Sequence, residues 1–428
     1  MADSGQRTMD HRRQWRRTLA GSQKSKQRSS GGRTSTAEGN GNGNDIRTGH
    51  AGVAEWTALL TIYTSTDVFL SYPSRVAEQT AEGAWMVPLL SAMIAASVFW
   101  VVQLCMLRFS QTGLITVLWE RVSPVAGMVV ALAGATFFLV QTALVMREFT
   151  ETVVTTVLPS TPAAVVTILF LVVVMNYAYK GIEGMTRVAI LLSVVMLGGL
   201  ALLLILPLTW FDPSLLSPVM GKGVGPIVLS ALTNTSMFIP PFVLSILQPS
   251  VRNQKHVLRI GLVSSLLTGA IISVVLIVII GTFAVAVTGK IPFPMYQLAR
   301  LIYVGRFVQR LESLFVFLWS AAAVIKMGLG LWLTAYLYAR AFKMPLYRPL
   351  VVPFGLILFV VSFLPPDVTT VMNLSGQVLE RYGWIVTMAL PLLAALIAVV
   401  VDWLRERGRR HDPGSDPPKG ENREEALA

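Results

Sequence analysis

Ten apolar stretches, separated by short polar connections, account for most of the chain. A helix needs about 20 residues to cross the ~30 Å hydrocarbon layer of a membrane. Stretches of roughly this length lie at residues 54–77, 85–107, 124–146, 162–179, 188–210, 226–247, 257–287, 311–340, 347–364 and 383–403. The pattern predicts an all-α integral membrane protein with ten transmembrane helices within residues 53–403.

Polar residues and prolines interrupt two of these stretches. The first contains a run of Thr and Ser around Asp67 and ends near Pro73, and the sixth contains residues 233–236 followed by Pro240 and Pro241. Proline breaks the hydrogen-bond ladder of a helix, and freed backbone groups are tolerated inside a bilayer only where they line a cavity or meet polar partners. One kinked helix alone has no functional meaning. Two at matching positions predict a five-plus-five inverted repeat with helices 1 and 6 broken.

The composition excludes a soluble enzyme. Hydrophobic residues make up 54% of the 428 residues and charged residues 14%, against roughly 25% charged residues in soluble domains. Such a chain cannot cover itself with a polar surface. The single cysteine, Cys105, excludes an internal disulfide, and the four histidines lie in the tails or a loop. We therefore expect no metal, no cofactor and no enzymatic activity.

The two ends of the chain differ from its middle. Residues 1–52 are basic and rich in Gly, Ser and Asn, which predicts a disordered tail, and residues 404–428 are predicted to form a second one. Most of the 35 Lys and Arg residues fall in the tails and the connections on the same side as the tails. By the positive-inside rule both termini are cytoplasmic. We expect the basic tail to be a solvated cytoplasmic segment; contact with anionic lipid headgroups is the alternative, and no nucleic acid partner is expected.

Two charges of opposite sign lie near the middle of apolar stretches, Asp67 in the first and Lys326 in the eighth. An unpaired charge at that depth costs several kcal/mol, so each is expected to face the bundle interior and find a partner. We hypothesise that Asp67 and Lys326 pair, or share a proton or a ligand, where the first and eighth helices meet. A purely structural ion pair is the alternative.

The candidate ligand site consists of polar residues at the two interruptions and in the helices beside them. Its members are Thr64, Thr66, Asp67, Gln141, Asn234, Thr235, Ser236 and Lys326. A hydrogen bond between helices is the alternative role for Gln141. Two further polar segments are assigned no ligand. Arg147, Glu148 and Glu151 are predicted to form a solvated cluster, and residues 288–310 are predicted to carry an amphipathic helix on the outer surface.

Four segments carry a resemblance to a known family. They are MREFTETVVTTVLPSTP from Met146, YKGIEGMTRVA from Tyr179, the stretch from Pro294 to Met327, and residues 347–350. In this order they resemble the B subunit of nutrient germinant receptors, the spore germination permeases of endospore-forming bacteria. The likeness runs from about Ala54 to Pro365.

The resemblance implies a member of the amino acid/polyamine/organocation superfamily. Such subunits are thought to sense a small germinant, often an amino acid, in the inner membrane of the spore, together with an A subunit and a lipoprotein C subunit. The Lys of the family's Phe-Ile-Lys stretch falls on Lys326, and the Pro closing the first helix falls on Pro73. The family's Gly-Thr-Gly is replaced around Thr66, Asp67 and Val68, where an Asp repels a carboxylate and prefers a cation.

Three functions remain open at this point. The leading one is the permease-like subunit of a spore germinant receptor. The second is a proton-coupled amino acid transporter, in which Asp67 titrates and Lys326 replaces a bound sodium. The third is a scaffold with a vestigial site, in which no change to the pocket alters function.

Overall fold

The computed structural model describes residues 51–109, 112–302 and 311–411. Within these ranges the chain is helical and has no β-strand; a single backbone pairing joins Ala51 to Val251. The predicted all-α class is therefore confirmed. Residues 1–50 and 412–428, which contain most of both predicted tails, lie outside the described residues.

Seventeen α-helical segments follow one another in the described ranges. They are α1 (Val53–Ser65), α2 (Tyr72–Thr80), α3 (Met86–Met106), α4 (Leu114–Val117), α5 (Pro124–Thr156), α6 (Ala163–Tyr179), α7 (Gly181–Ile205), α8 (Val224–Asn234), α9 (Pro240–Ile246), α10 (Val257–Phe283), α11 (Val285–Thr288), α12 (Pro294–Leu301), α13 (Leu311–Ala341), α14 (Arg348–Ser362), α15 (Val368–Leu374), α16 (Arg381–Trp384) and α17 (Leu390–His411). Short 3₁₀ or π-helical turns join several of them without a loop.

Seven helical runs among the described residues are long and apolar enough to cross a membrane. They are Tyr72–Met106, Pro124–Thr156, Gly181–Trp210, Val224–Ile246, Gln254–Phe283, Phe315–Ala341 and Val368–Arg407. Two shorter apolar helices, α6 and α14, lie between them in the sequence. The protein is thus an integral membrane protein. The count of ten spans and the five-plus-five repeat stay predictions, although all ten predicted stretches coincide with helical segments.

Both predicted interruptions are present. Helix α1 ends at Ser65 and a 3₁₀ turn, Thr66–Phe69, leads to α2, whose first turn contains Pro73. Helix α8 ends at Asn234, the 3₁₀ turn Thr235–Met237 follows, and α9 begins at Pro240. Proline is tolerated in the first turn of a helix because its missing N–H has no partner there, so each proline starts the second half-helix.

Helix α13 lies at the centre of the packing. It packs most extensively against α5 and also against α1, α6 and α7. Its Trp319 is fully buried, and the ring lies 4.6 Å from that of Phe149 on α5. A second group of contacts joins α10 to α3 and α1. Through these contacts α1 is held between α10 and α13, which places the first break inside the protein.

Helix α5 is longer than predicted. It starts at Pro124, where the Ser123 side chain accepts a hydrogen bond from the Val125 N–H at 3.2 Å, the usual role of a serine N-cap. It continues ten residues beyond the predicted end at 146, to Thr156. The polar residues of this extension have partners inside the protein, for example the Thr150 and Thr167 hydroxyls at 2.9 Å, so they do not end the helix.

Two other segments differ from expectation. Residues 404–411, predicted as the start of a disordered tail, belong to α17. In the connection 288–310, α12 forms the predicted helix, but Met295 and Leu298 are fully buried against the protein rather than facing the outer surface. The rest of that connection, residues 303–310, lies outside the described residues.

We predict that close helix packing depends on Gly269 of α10. A Cβ atom there would lie 2.5 Å from the Ala92 Cβ and 2.9 Å from the Pro88 carbonyl oxygen of α3. Since a backbone atom cannot move aside cheaply, Gly269→Ala is expected to destabilise the fold by about 1–3 kcal/mol. Gly198→Ala is the control, because nothing lies within 4 Å of a Cβ at that position. Thermal unfolding of both purified variants in detergent measures the difference; equal unfolding temperatures would contradict the prediction.

Candidate functional site

The two mid-depth charges meet. Lys326 of α13 places its Nζ 2.8 Å from Oδ2 of Asp67, in the 3₁₀ turn after α1. The lysine side chain is 2% exposed and the aspartate 16%. The first and eighth spans therefore meet at this ion pair, as the depth and sign of the two charges predicted. Whether the pair takes part in ligand binding stays a prediction.

Lys326 also contacts the last turn of α1. Its Nζ donates to the Tyr63 carbonyl oxygen at 3.2 Å and lies 4.5 Å from the centre of the Tyr63 ring. The Tyr63 hydroxyl in turn donates to Oε1 of Gln141 on α5 at 2.9 Å. Because a cation is stabilised near the C-terminal end of a helix, Lys326 compensates the end of α1 as well as the charge of Asp67.

A small cavity lies beside this pair, between the two breaks. It has a volume of about 50 Å³, which leaves room for a few water molecules. Four of the predicted site residues line it: Asp67, Gln141, Asn234 and Ser236. The Asn234 Nδ2 donates to the Ser230 carbonyl at 2.8 Å, whereas its Oδ1 is buried and has no partner in the described part of the chain.

The other four predicted residues do not line the cavity. Lys326 lies behind Asp67, and Thr64 is buried in α1. The Thr66 hydroxyl donates to the Ile62 carbonyl and the Thr235 hydroxyl to the Leu232 carbonyl, each at 2.6 Å. These two threonines satisfy carbonyl groups at the ends of their own half-helices, so their hydroxyls are already occupied.

Three charged residues outside the predicted set line the cavity: Arg75, Glu148 and Glu380. Arg75 of α2 bonds Glu380 through two nitrogens, with Nε 3.0 Å from Oε1. Arg75 also donates to the Ser71 hydroxyl, and its Nη1 lies 4.0 Å from Oε1 of Glu148. The Ser71 N–H and hydroxyl both donate to the same Glu148 oxygen, the N–H at 2.8 Å. Glu148 therefore occupies the N-terminal end of α2, where an anion is favoured.

The predicted solvated cluster at the end of the third span is therefore wrong. Glu148 is 3% exposed and Arg147 8% exposed. Arg147 bonds Glu151 one turn away at 2.8 Å and lies over the Phe363 ring at 4.7 Å. The polar run looks like the solvated end of a helix, but α5 continues through it and other helices cover it.

A larger, polar vestibule lies next to the cavity. It has a volume of about 690 Å³ and is lined by residues of α2, α8, α15 and the π-helical segment Ser375–Glu380, including Gln79, Thr233 and Gln377. Arg75 and Glu380 line both the vestibule and the cavity. The Arg75–Glu380 ion pair thus borders both spaces. One-turn π-helical segments are frequent at functional sites, and this one carries Glu380.

Sequence comparison places the chain in a family. A sequence model of the family described as spore germination protein matches residues 55–371. The chain belongs to this family of spore germination permeases. The resemblance seen in the sequence is confirmed, and the protein is of a permease type rather than an enzyme.

Individual relatives and solved structures agree with this assignment. Spore germination protein KB of Bacillus subtilis (strain 168) is 26% identical over 291 residues, which is 66% of this chain and 76% of that protein. Spore germination protein YndE of the same organism is 20% identical over 361 residues, 83% of this chain and 97% of that protein. A crystal structure of a manganese transporter from Eremococcus coleocola superposes with a TM-score of 0.55 at 13% identity, over 86% of this chain and 88% of that one. The permease therefore shares the fold of this transporter.

We predict that Lys326 and Asp67 are energetically coupled. Lys326→Met leaves the carboxylate buried without its cation and is expected to destabilise the protein on the order of 3 kcal/mol. Adding Asp67→Asn recovers about 1–3 kcal/mol, because the unpaired charge is removed. A double-mutant cycle on thermal or denaturant unfolding measures the coupling. The exposed pair of Glu183 and Arg187, 2.5 Å apart, is the control, with a coupling below about 1 kcal/mol; additive effects at Asp67 and Lys326 would contradict the prediction.

We predict that the Arg75–Glu380 pair closes the cavity toward the vestibule. With Cys105→Ala as the background, a water-soluble thiol reagent is expected to label Gln377→Cys in the vestibule rapidly and Ser236→Cys in the cavity slowly. Glu380→Gln removes the charge that holds Arg75, so labelling of Ser236→Cys is expected to become faster while that of Gln377→Cys stays unchanged. The labelling rates are measured by mass spectrometry. Equal rates at Ser236→Cys with and without Glu380→Gln would show that the pair is not the barrier.

Proposed function

We propose that the protein is the permease-like subunit of a spore germinant receptor and binds a small nutrient, an amino acid, in the cavity between the two broken spans. The observation that carries the proposal is this cavity, since it is lined by charges of both signs and shares the Arg75–Glu380 pair with the larger vestibule. Membership of a spore germination family supports the biological setting.

The charges around the cavity suit a ligand that carries both an ammonium and a carboxylate. Glu148 and Glu380 offer carboxylates, and Asp67 is already compensated by Lys326. Arg75 is the cation that borders the cavity, and the Oδ1 of Asn234 is an acceptor without a partner in the described ranges. An amino acid places its ammonium toward the glutamates and Asn234 and its carboxylate toward Arg75, where a bidentate contact is favoured.

The small volume of the cavity explains how binding becomes a signal. A space of about 50 Å³ holds water but not an amino acid, so the ligand enters only when Arg75 and Glu380 separate. A ligand that binds one conformation and not the other shifts the equilibrium toward the first. The change to the open conformation is then transmitted to the partner A and C subunits. The receptor lies in the inner membrane of the spore, with both termini on the core side.

The decisive experiment is germination of spores that carry this subunit with its own partner subunits, tested against a panel of amino acids. Lys326→Met and Glu380→Gln are expected to abolish the response to the effective amino acid, because the first leaves Asp67 unpaired and the second removes the partner of Arg75. Glu183→Gln, on the surface of α7, is the matched control and keeps the response. Immunoblots of the membrane fraction establish that each variant is present.

The same strains separate the other two functions. Normal germination of the strain that lacks the subunit, together with lost uptake of a labelled amino acid by that strain and proton-driven uptake into proteoliposomes that contain the protein, would make the protein a proton-coupled transporter. An unchanged response in both the Lys326→Met and the Glu380→Gln variant, with partner binding intact, would make it a scaffold with a vestigial site. Either result would overturn the sensing proposal.

A further inference from the structure

A long groove lies between α1, α7 and α10, away from the residues that line the small cavity. It has a volume of about 640 Å³ and its lining is mostly aliphatic, for example Ile62, Leu197 and Leu267. On α10 the lining runs from Arg259 to Ile271, which is about 18 Å at 1.5 Å per residue. None of its residues lines the cavity or the vestibule. The groove is therefore a separate feature.

One end of this groove is basic. His256 and Arg259 line it there, and Arg252 and Lys255 are exposed on the same connection. None of the three Lys and Arg side chains lies within ion-pair distance of an acidic group in the described part of the chain. The nearby Glu55 of α1 accepts a hydrogen bond from the Gly52 N–H at 2.8 Å. The cations at this end are available to an anion.

The walls of the groove favour an acyl chain over a peptide. The Thr57 and Ser193 hydroxyls donate to carbonyl groups of their own helices at 2.8 and 2.7 Å. The Thr61 hydroxyl is buried and has no partner among the described residues. A peptide backbone would need several hydrogen-bond partners along its length, and the walls do not offer them. A hydrocarbon chain needs none.

We propose that this groove binds an anionic phospholipid, with one acyl chain between α1, α7 and α10 and the phosphate held by His256 and Arg259. Basic pockets between membrane helices are suited to anionic headgroups. A zwitterionic lipid such as phosphatidylcholine brings its own ammonium group to the basic end, which weakens the attraction of its phosphate, and a free phosphate would leave the apolar length of the groove unfilled. The two properties together select an amphiphile with an anionic head.

The position of the groove links the lipid to the candidate site. The end of the groove farther from His256 and Arg259 is lined by Ser65, the last residue of α1, and by Phe69, the last residue of the following 3₁₀ turn. Asp67 lies between them and contacts Lys326 on its other side. A lipid chain in the groove therefore packs against the segment that carries Asp67 and supports the arrangement of the first break.

The test uses the full-length protein, purified and stripped of lipid in detergent. Phosphatidylglycerol and phosphatidylcholine with identical chains are added separately. Native mass spectrometry counts the lipid retained, and thermal unfolding measures stabilisation. Phosphatidylglycerol is expected to be retained and to raise the unfolding temperature by several degrees, since a ligand that binds only the folded state stabilises it, whereas phosphatidylcholine is expected to do neither.

Two variants locate the headgroup. Arg259→Gln is expected to weaken phosphatidylglycerol retention about tenfold, as for the loss of one charge-assisted contact. Lys255→Gln removes one positive charge from the same connection outside the groove lining and is expected to retain the lipid as the unaltered protein does. Equal losses in both variants would show diffuse attraction to the basic connection and would overturn the proposal.

A third variant tests the acyl chain. Ala58→Phe fills the groove from α1, where Ala58 is part of its lining, and is expected to reduce retention of phosphatidylglycerol while the protein remains folded and monodisperse. Undiminished retention in this variant, or the same stabilisation by inorganic phosphate alone, would show that the apolar groove is not occupied. Equal stabilisation by phosphatidylcholine would show that no anionic head is required. Each of these results overturns the proposal.

Discussion

The break in the first membrane span is the constraint on which the rest of the site depends. Where α1 stops and α2 begins, two helix ends with opposite partial charges lie inside an apolar protein. Lys326 of α13 compensates the carboxyl end of α1 through the Tyr63 carbonyl, and Glu148 of α5 compensates the amino end of α2 through the Ser71 N–H. The two helices that pack most extensively on each other thus each supply one charge to the same break.

Three further charges follow from those first two. Asp67 balances Lys326, and Arg75 lies between Glu148 and Glu380. A buried charge is tolerated when it has a partner of opposite sign and enough hydrogen bonds. The ion pairs form two groups beside the cavity, Asp67 with Lys326 and Arg75 with Glu148 and Glu380. Both groups contact the first break and hold it in one arrangement. In the proposed function a zwitterionic ligand engages Arg75, Glu148 and Glu380, so binding and conformational change would depend on the same side chains.

The cavity, the vestibule and the apolar groove all touch the first span. The cavity meets it at Asp67 and Arg75, the vestibule at Arg75 and Gln79, and the apolar groove at α1 itself. A movement of α1 or α2 changes all three spaces together, because the half-helices have no continuous hydrogen-bond ladder between them. If the two proposals hold, a ligand on one side and a lipid on the other act on the same element.

The sequence by itself determined the membrane class, the positions of the helices, both breaks and the meeting of Asp67 with Lys326. Each of these follows from local rules: apolar length, proline chemistry, and the cost of an isolated charge at mid-depth. Only the tertiary structure decided which polar residues face the cavity. The Thr66 and Thr235 hydroxyls donate to carbonyl groups of their own helices instead of facing the cavity. The place of a threonine in the sequence does not show which way its side chain points. Glu148 was predicted to lie in a solvated cluster, and Glu380 was not among the predicted site residues; the partner of Glu380, Arg75, lies 305 residues away in the chain. Burial and pairing at such a separation depend on how the helices pack, which no local pattern records.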